Sequence, residues 1–146
     1  MQTMNSESDH PLVLLLVCNK ETREYLSDLL RRNSYSPQAF SVPADLLNHL
    51  RAGTDVIVFV DGQAVSNCGA GIFSKIRESC SGCKVIFLCD RAHRELIKEA
   101  MGLGAYGCVL EPYEEWEVLT MVRHVLSDLK PKRRRSSKKT RRPAEG

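Results

Sequence analysis

The sequence predicts an α/β protein, a doubly wound five-stranded parallel sheet with five helices on its two faces. Three observations carry that expectation. Residues 55–61 read Asp-Val-Ile-Val-Phe-Val-Asp, five β-branched or aromatic residues between two aspartates, which is the pattern of a strand buried on both faces. Residues 12–17 form a second apolar run of the same kind. Along the rest of the chain, short apolar runs alternate with segments whose apolar residues recur every three or four positions, as strands and crossover helices do.

In order, residues 1–10 are polar and expected to be disordered. The first strand, 12–17, leads into a helix over 21–32, where Tyr25, Leu26, Leu29 and Leu30 oppose Arg23, Asp28 and Arg31, and Asn33-Ser34 stops it. Residues 37–40 are a short strand. Ser41 or Pro43 opens a helix through Leu46, Leu47 and Leu50, closed by Gly53. The 55–61 strand follows. A loop containing Gly and Ser then precedes a helix over 71–79 with Ile72, Phe73 and Ile76 on one face. Ser81-Gly82 makes a turn into a strand over 84–88; a helix over 91–101 ends at Gly102; residues 107–110 are the fifth strand and 114–129 the last helix. Gly62 ends the third strand and leaves Asp61 at its C-terminal tip, the edge at which open α/β sheets bind ligands.

The charge is divided along the chain. Residues 130–146 hold nine of the 21 basic residues and one of the 18 acidic ones, so the tail carries +8 and the rest −5. The tail is nearly all Lys, Arg, Ser and Pro, without large apolar residues, and is expected to be disordered. Residues 1–10 contain Glu7 and Asp9 and no Lys or Arg, so the basic start of a secretory signal is missing, and no run nears the ~18 apolar residues of a membrane span. A cytoplasmic location is expected, with the six cysteines reduced. The four histidines are dispersed, Gly69-Ala-Gly71 and Gly102-Leu-Gly104 are fragments of no phosphate loop, and Cys80-Ser-Gly-Cys83 is a lone CxxC before a strand. Neither an enzyme nor a bound metal is expected.

From residue 11 to 129 the chain resembles a response-regulator receiver domain of two-component signalling, with the flavodoxin-like fold that this implies. The residues that carry the resemblance are Asp61 followed by Gly69 and Ile76-Arg77, the strand from Val85 to Leu88, and Gly104-Ala105 followed by Glu111, Pro112 and Tyr113. Asp61 falls where the family has its phosphoacceptor. The resemblance then implies a degenerate, pseudo-receiver type. The acidic pair that holds magnesium falls on Cys18 and Asn19, the phosphate-binding hydroxyl on Cys89, the lysine on Glu111, and the switch aromatic on Cys108. A carboxylate attacking a phosphoryl group needs cations to offset its oxygens, and Glu111 would repel them. Magnesium, which prefers carboxylate ligands, is expected to bind weakly or not at all. A thiol-rich pocket could take zinc or sense oxidants, or the cysteines could be small apolar fillers.

The last helix carries more apolar surface than one buried face needs. Val118, Val122, Val125 and Leu129 form its inward stripe, leaving Trp116, Leu119 and Met121 off it. In the family, the fourth helix, fifth strand and fifth helix form the usual partner or dimer surface. Trp116 either anchors such an interface or covers the sheet edge. Three functions follow: a degenerate receiver binding a protein partner or a second copy; a phosphorelay receiver with Asp61 as acceptor; or a regulator associated with nucleic acid, bound non-specifically by the basic tail from Lys130 to Arg142.

Overall fold

The computed structural model describes residues 12–50 and 55–129. The expectations for residues 1–10, for the 130–146 tail and for Gly53 lie outside them.

The elements run β1 (Leu12–Leu16), α1 (Lys20–Arg32), β2 (Pro37–Phe40), α2 (Pro43–His49), β3 (Val56–Asp61), α3 (Gly62–Cys68), α4 (Gly71–Ser79), β4 (Cys83–Cys89), a 3₁₀ segment (Arg91–Leu96), α5 (Ile97–Gly102), β5 (Gly107–Leu110) and α6 (Glu115–Leu129). The sheet order is β2-β1-β3-β4-β5, all parallel, with Leu16 opposite Val60 and Asp61 opposite Leu88. The connection after β1 runs to one side and that after β3 to the other. This places the crevice between the C-terminal ends of β1 and β3.

The strands are buried on both faces because they feed two cores in alternation. Leu14, Leu16, Val58, Val60, Val85 and Phe87 point to the face covered by α2, α3, α4 and α5, where Phe73 meets Phe87 edge to face at 5.8 Å. Their neighbours Val13, Leu15, Ile57, Phe59, Ile86 and Leu88 point to the other face, under Leu26, Leu29 and Leu30 of α1 and Val118, Val122 and Val125 of α6. A one-residue slip of β3 would exchange the two cores, so packing fixes its register. The side chain of Leu129, the expected fourth member of the α6 stripe, lies outside the described residues.

Two elements differ from the sequence expectation. Residues 62–68, expected as a loop, form α3, giving six α-helices among the described residues; Asp61 caps that helix by accepting from the Ala64 amide. The helix expected over 91–101 begins as the 3₁₀ segment, with His93 off helical geometry at φ −122°, and becomes α-helical only from Ile97.

Gly104 explains part of the sequence signature. Its φ is +110°, and a Cβ there would lie 2.3 Å from Cδ of Arg77, whose guanidinium reaches the Leu103 carbonyl at 3.5 Å. Gly104→Ala should therefore cost about 1–3 kcal/mol in urea unfolding. Gly102→Ala, with no atom within 4 Å of the new Cβ, should change stability by less than about 1 kcal/mol.

Candidate functional site

The crevice between β1 and β3 holds Asp61, 4% exposed and the one charged side chain buried among the described residues. Its carboxylate is held by three backbone amides. Oδ1 accepts from Cys18 at 3.1 Å and from Ala64 at 2.9 Å, and Oδ2 accepts from Asn19 at 3.0 Å. Three of its roughly four lone-pair positions are occupied. The β1–α1 loop is turned inward, its amides facing the crevice, and one carboxylate ties the tips of two central strands to the start of α3.

The other pocket positions are also committed to local structure. Asn19 is the N-cap of α1, its Oδ1 accepting from the Thr22 amide at 3.0 Å. Glu111 Oε1 accepts from the Arg91 amide at 2.9 Å, tying the end of β5 to the 3₁₀ segment, and the Glu111–Pro112 peptide is cis. Cys89 is buried at the end of β4. Arg23, the guanidinium near Cys18, donates to the Val17 carbonyl at 3.1 Å.

The donors do not fit magnesium. A hard cation wants several oxygens, carboxylates above all. Of the three side chains at the crevice, Cys18 offers sulfur, the Asn19 oxygen caps a helix, and Asp61 faces amides. No group of three His, Cys, Asp or Glu among the described residues could hold a metal ion.

Burial favours the neutral form of the thiols around the crevice, Cys18, Cys89 and Cys108. Burial pushes Cys18 up, with the Asp61 charge adding to it and the Asn67 amide, 3.7 Å from the sulfur, opposing. Burial raises Cys89 to about 11, helped by Cys108, and raises Cys108 itself. Cys80 and Cys83 of the CxxC flank the turn between α4 and β4, with the Cys83 amide donating to the Cys80 carbonyl at 3.2 Å; both are core residues.

Two neighbours of the site gave no signal in the sequence. His93 lies over the start of α3, where a Cβ on Gly62 would fall 2.6 Å from its ring, and its Nδ1 is 2.5 Å from Asp90 Oδ1. The ring therefore shields the backbone next to Asp61. A dispersed histidine inside an unrecognised 3₁₀ turn shows no spacing that would have marked it.

The surface expected around the last helix divides in two. Trp116, 66% exposed, and Leu119 line an open groove of about 970 Å³ on the side of α1, with Tyr25 and Tyr113. The Tyr25 hydroxyl donates to the Tyr113 carbonyl at 2.6 Å, and Arg32 pairs with Glu115 at 3.1 Å, so α1 and the start of α6 form one floor. Met121 is on the opposite flank, its sulfur against Gly107 of β5. The three residues off the inward stripe thus lie on two flanks, because 100° per residue turns Trp116 and Leu119 away from Met121 on the helix.

The sequence matches no family profile and no curated protein. The fold matches solved response regulators. Over 86% of this chain it superposes on NtrX from Brucella abortus with a TM-score of 0.71 at 16% identity, spanning 28% of that protein. It covers 98% of a response regulator from Thermotoga maritima, with a TM-score of 0.67 at 21% identity over 80% of this chain. For full-length FixJ from B. japonicum the TM-score is 0.71 at 18% identity, covering 87% of this chain and 63% of that one. The chain has the flavodoxin-like receiver fold. No described helix is long and apolar enough to cross a membrane.

Asp61→Ala should lower stability by about 2–4 kcal/mol in denaturant unfolding, through loss of the α3 cap and of partners for the Cys18 and Asn19 amides. A loss below about 0.5 kcal/mol would mean that these bonds do not hold the crevice. At pH 7.5, iodoacetamide followed by peptide mass analysis should label exposed Cys68 well before buried Cys89. Cys89 ionises at about 11 in the fold against 9.0 ordinarily, so its contribution to stability is complete below pH 9 and is lost between 9 and 11. Cys89→Ala should flatten that part of the stability–pH curve.

Proposed function

We propose that this chain is a degenerate receiver module that acts in signal transduction by binding a protein partner or a second copy, without efficient phosphorylation. The observation that carries this reading is the use of Asp61. An acceptor carboxylate needs a free oxygen beside bound cations, whereas this one has three backbone amides on its two oxygens. Glu111, at the lysine position, brings negative charge to the mouth and holds the Arg91 amide. Phosphate-driven switching would also lack its fifth-strand aromatic, since Cys108 has no ring to swing. Access to the binding surfaces then does not depend on phosphorylation, with Trp116 and Leu119 in the groove beside α1 and Met121 at the β5 edge as the candidate contacts.

Magnesium binding would be weak or absent, the module would catalyse nothing, and it would work in the cytoplasm. A phosphorelay role for Asp61 would require the carboxylate to release its amides, and a nucleic-acid role would rest on the tail alone.

The deciding experiment incubates the protein with magnesium and acetyl phosphate or beryllofluoride and reads intact mass and amide NMR. No gain of a phosphoryl group and no shift of the Cys18, Asn19 and Ala64 amides are expected. A phosphoryl adduct that Asp61→Asn abolishes would establish the phosphoacceptor reading instead.

A further inference from the structure

The groove beside α1, already a candidate partner surface, joins two features: an aromatic floor of which Trp116 is open to water and a rim of carboxylates. Glu21, Glu111, Glu114 and Glu115 line it with one lining cation, Arg123; since Arg32 pairs with Glu115 at 3.1 Å and Glu111 holds the Arg91 amide, Glu21 and Glu114 carry most of the open rim charge. Tyr25, Tyr113 and Trp116 supply the aromatic surface. Carboxylates around an exposed tryptophan and two half-buried tyrosines suit a Lys- and Arg-rich chain, whose ammonium and guanidinium groups pair with the rim and stack on the rings.

We propose that the occupant is this chain's own basic tail, folded back onto the groove. The charges are complementary, +8 on residues 130–146 against −5 on the rest. The reach is also sufficient. From Leu129 back to Trp116 the helix spans about 20 Å. Some six or seven extended residues at ~3.3 Å each cover that distance. Residues 130–136 would make the return, and Lys138, Lys139, Arg141 and Arg142 would arrive at the rim. Because the tail is tethered, its effective concentration is on the order of millimolar, enough for weak contacts to hold it. A docked tail occupies the groove in which Trp116 would meet a partner, so a partner must displace it. This inference does not depend on whether Asp61 accepts phosphate.

Trp116 is the only tryptophan in the chain and reports on the groove directly. The test compares acrylamide quenching of its fluorescence in the full chain and in the full-length variant K138Q/K139Q/R141Q/R142Q. At about 0.01 M salt the native chain should show a quenching constant about two-fold lower than the variant, and at about 1 M salt the two should coincide, since the rim charges are then screened beyond ~3 Å. The rim variant E21Q/E114Q, with the tail intact, should quench like the tail variant. Equal quenching of native and tail-variant chains at low salt overturns the proposal. So does protection that grows with protein concentration from about 1 to 100 µM, the mark of a neighbour's tail rather than the chain's own.

Discussion

The crevice of this protein is organised by one buried carboxylate. Asp61 ends the most buried strand of the sheet, and its two oxygens take amides from the loop after β1 and from the first turn of α3. A buried charge without partners would be expensive. Satisfying it with backbone amides fixes where β1 stops, how the following loop turns, and where α3 starts. Asn19 can cap α1 because its own amide is already held by Asp61. The position that resembles an acceptor is thus used as a three-way fastening.

That fastening sits at the edge of a sheet with a core on each face. On one side the short helices after β3 and β4 seal the sheet, with Phe73 and Ile76 from α4 and Ala100 from α5. On the other, α1 and α6 lie side by side, joined at their rim by Tyr25 to Tyr113 and Arg32 to Glu115. The second pair of helices leaves a groove, and the chemistry of its walls, acidic and aromatic, differs from that of the crevice.

Much of the architecture is legible in the sequence because the strands are uninterrupted apolar runs with an alternating demand from two cores. The positions of Asp61, Cys18, Asn19, Cys89 and Glu111 around one sheet edge follow from strand ends alone. What each does there does not. The capping role of Asn19 and the Glu111 bond to Arg91 depend on amide directions, which residue types do not encode. Helix α3 was hidden because Gly62, Ala64 and Val65 are its buried residues, too small and too few to make a periodic stripe. The split of Trp116 and Leu119 from Met121 was open to helical geometry, but the neighbouring helix that makes a groove of one flank required the tertiary arrangement.

The inward-turned loop limits which substitutions the crevice tolerates. Replacing Cys18 and Asn19 by acidic residues, one at a time, would set new negative charge beside Asp61 while the loop amides still occupy it. Each substitution alone would be unfavourable, since like charges without a cation repel, even though an aspartate at position 19 could keep the α1 cap. The crevice therefore resists stepwise acidification: a second carboxylate becomes tolerable only if the loop turns its amides outward in the same step, so the positions act as one unit rather than independently.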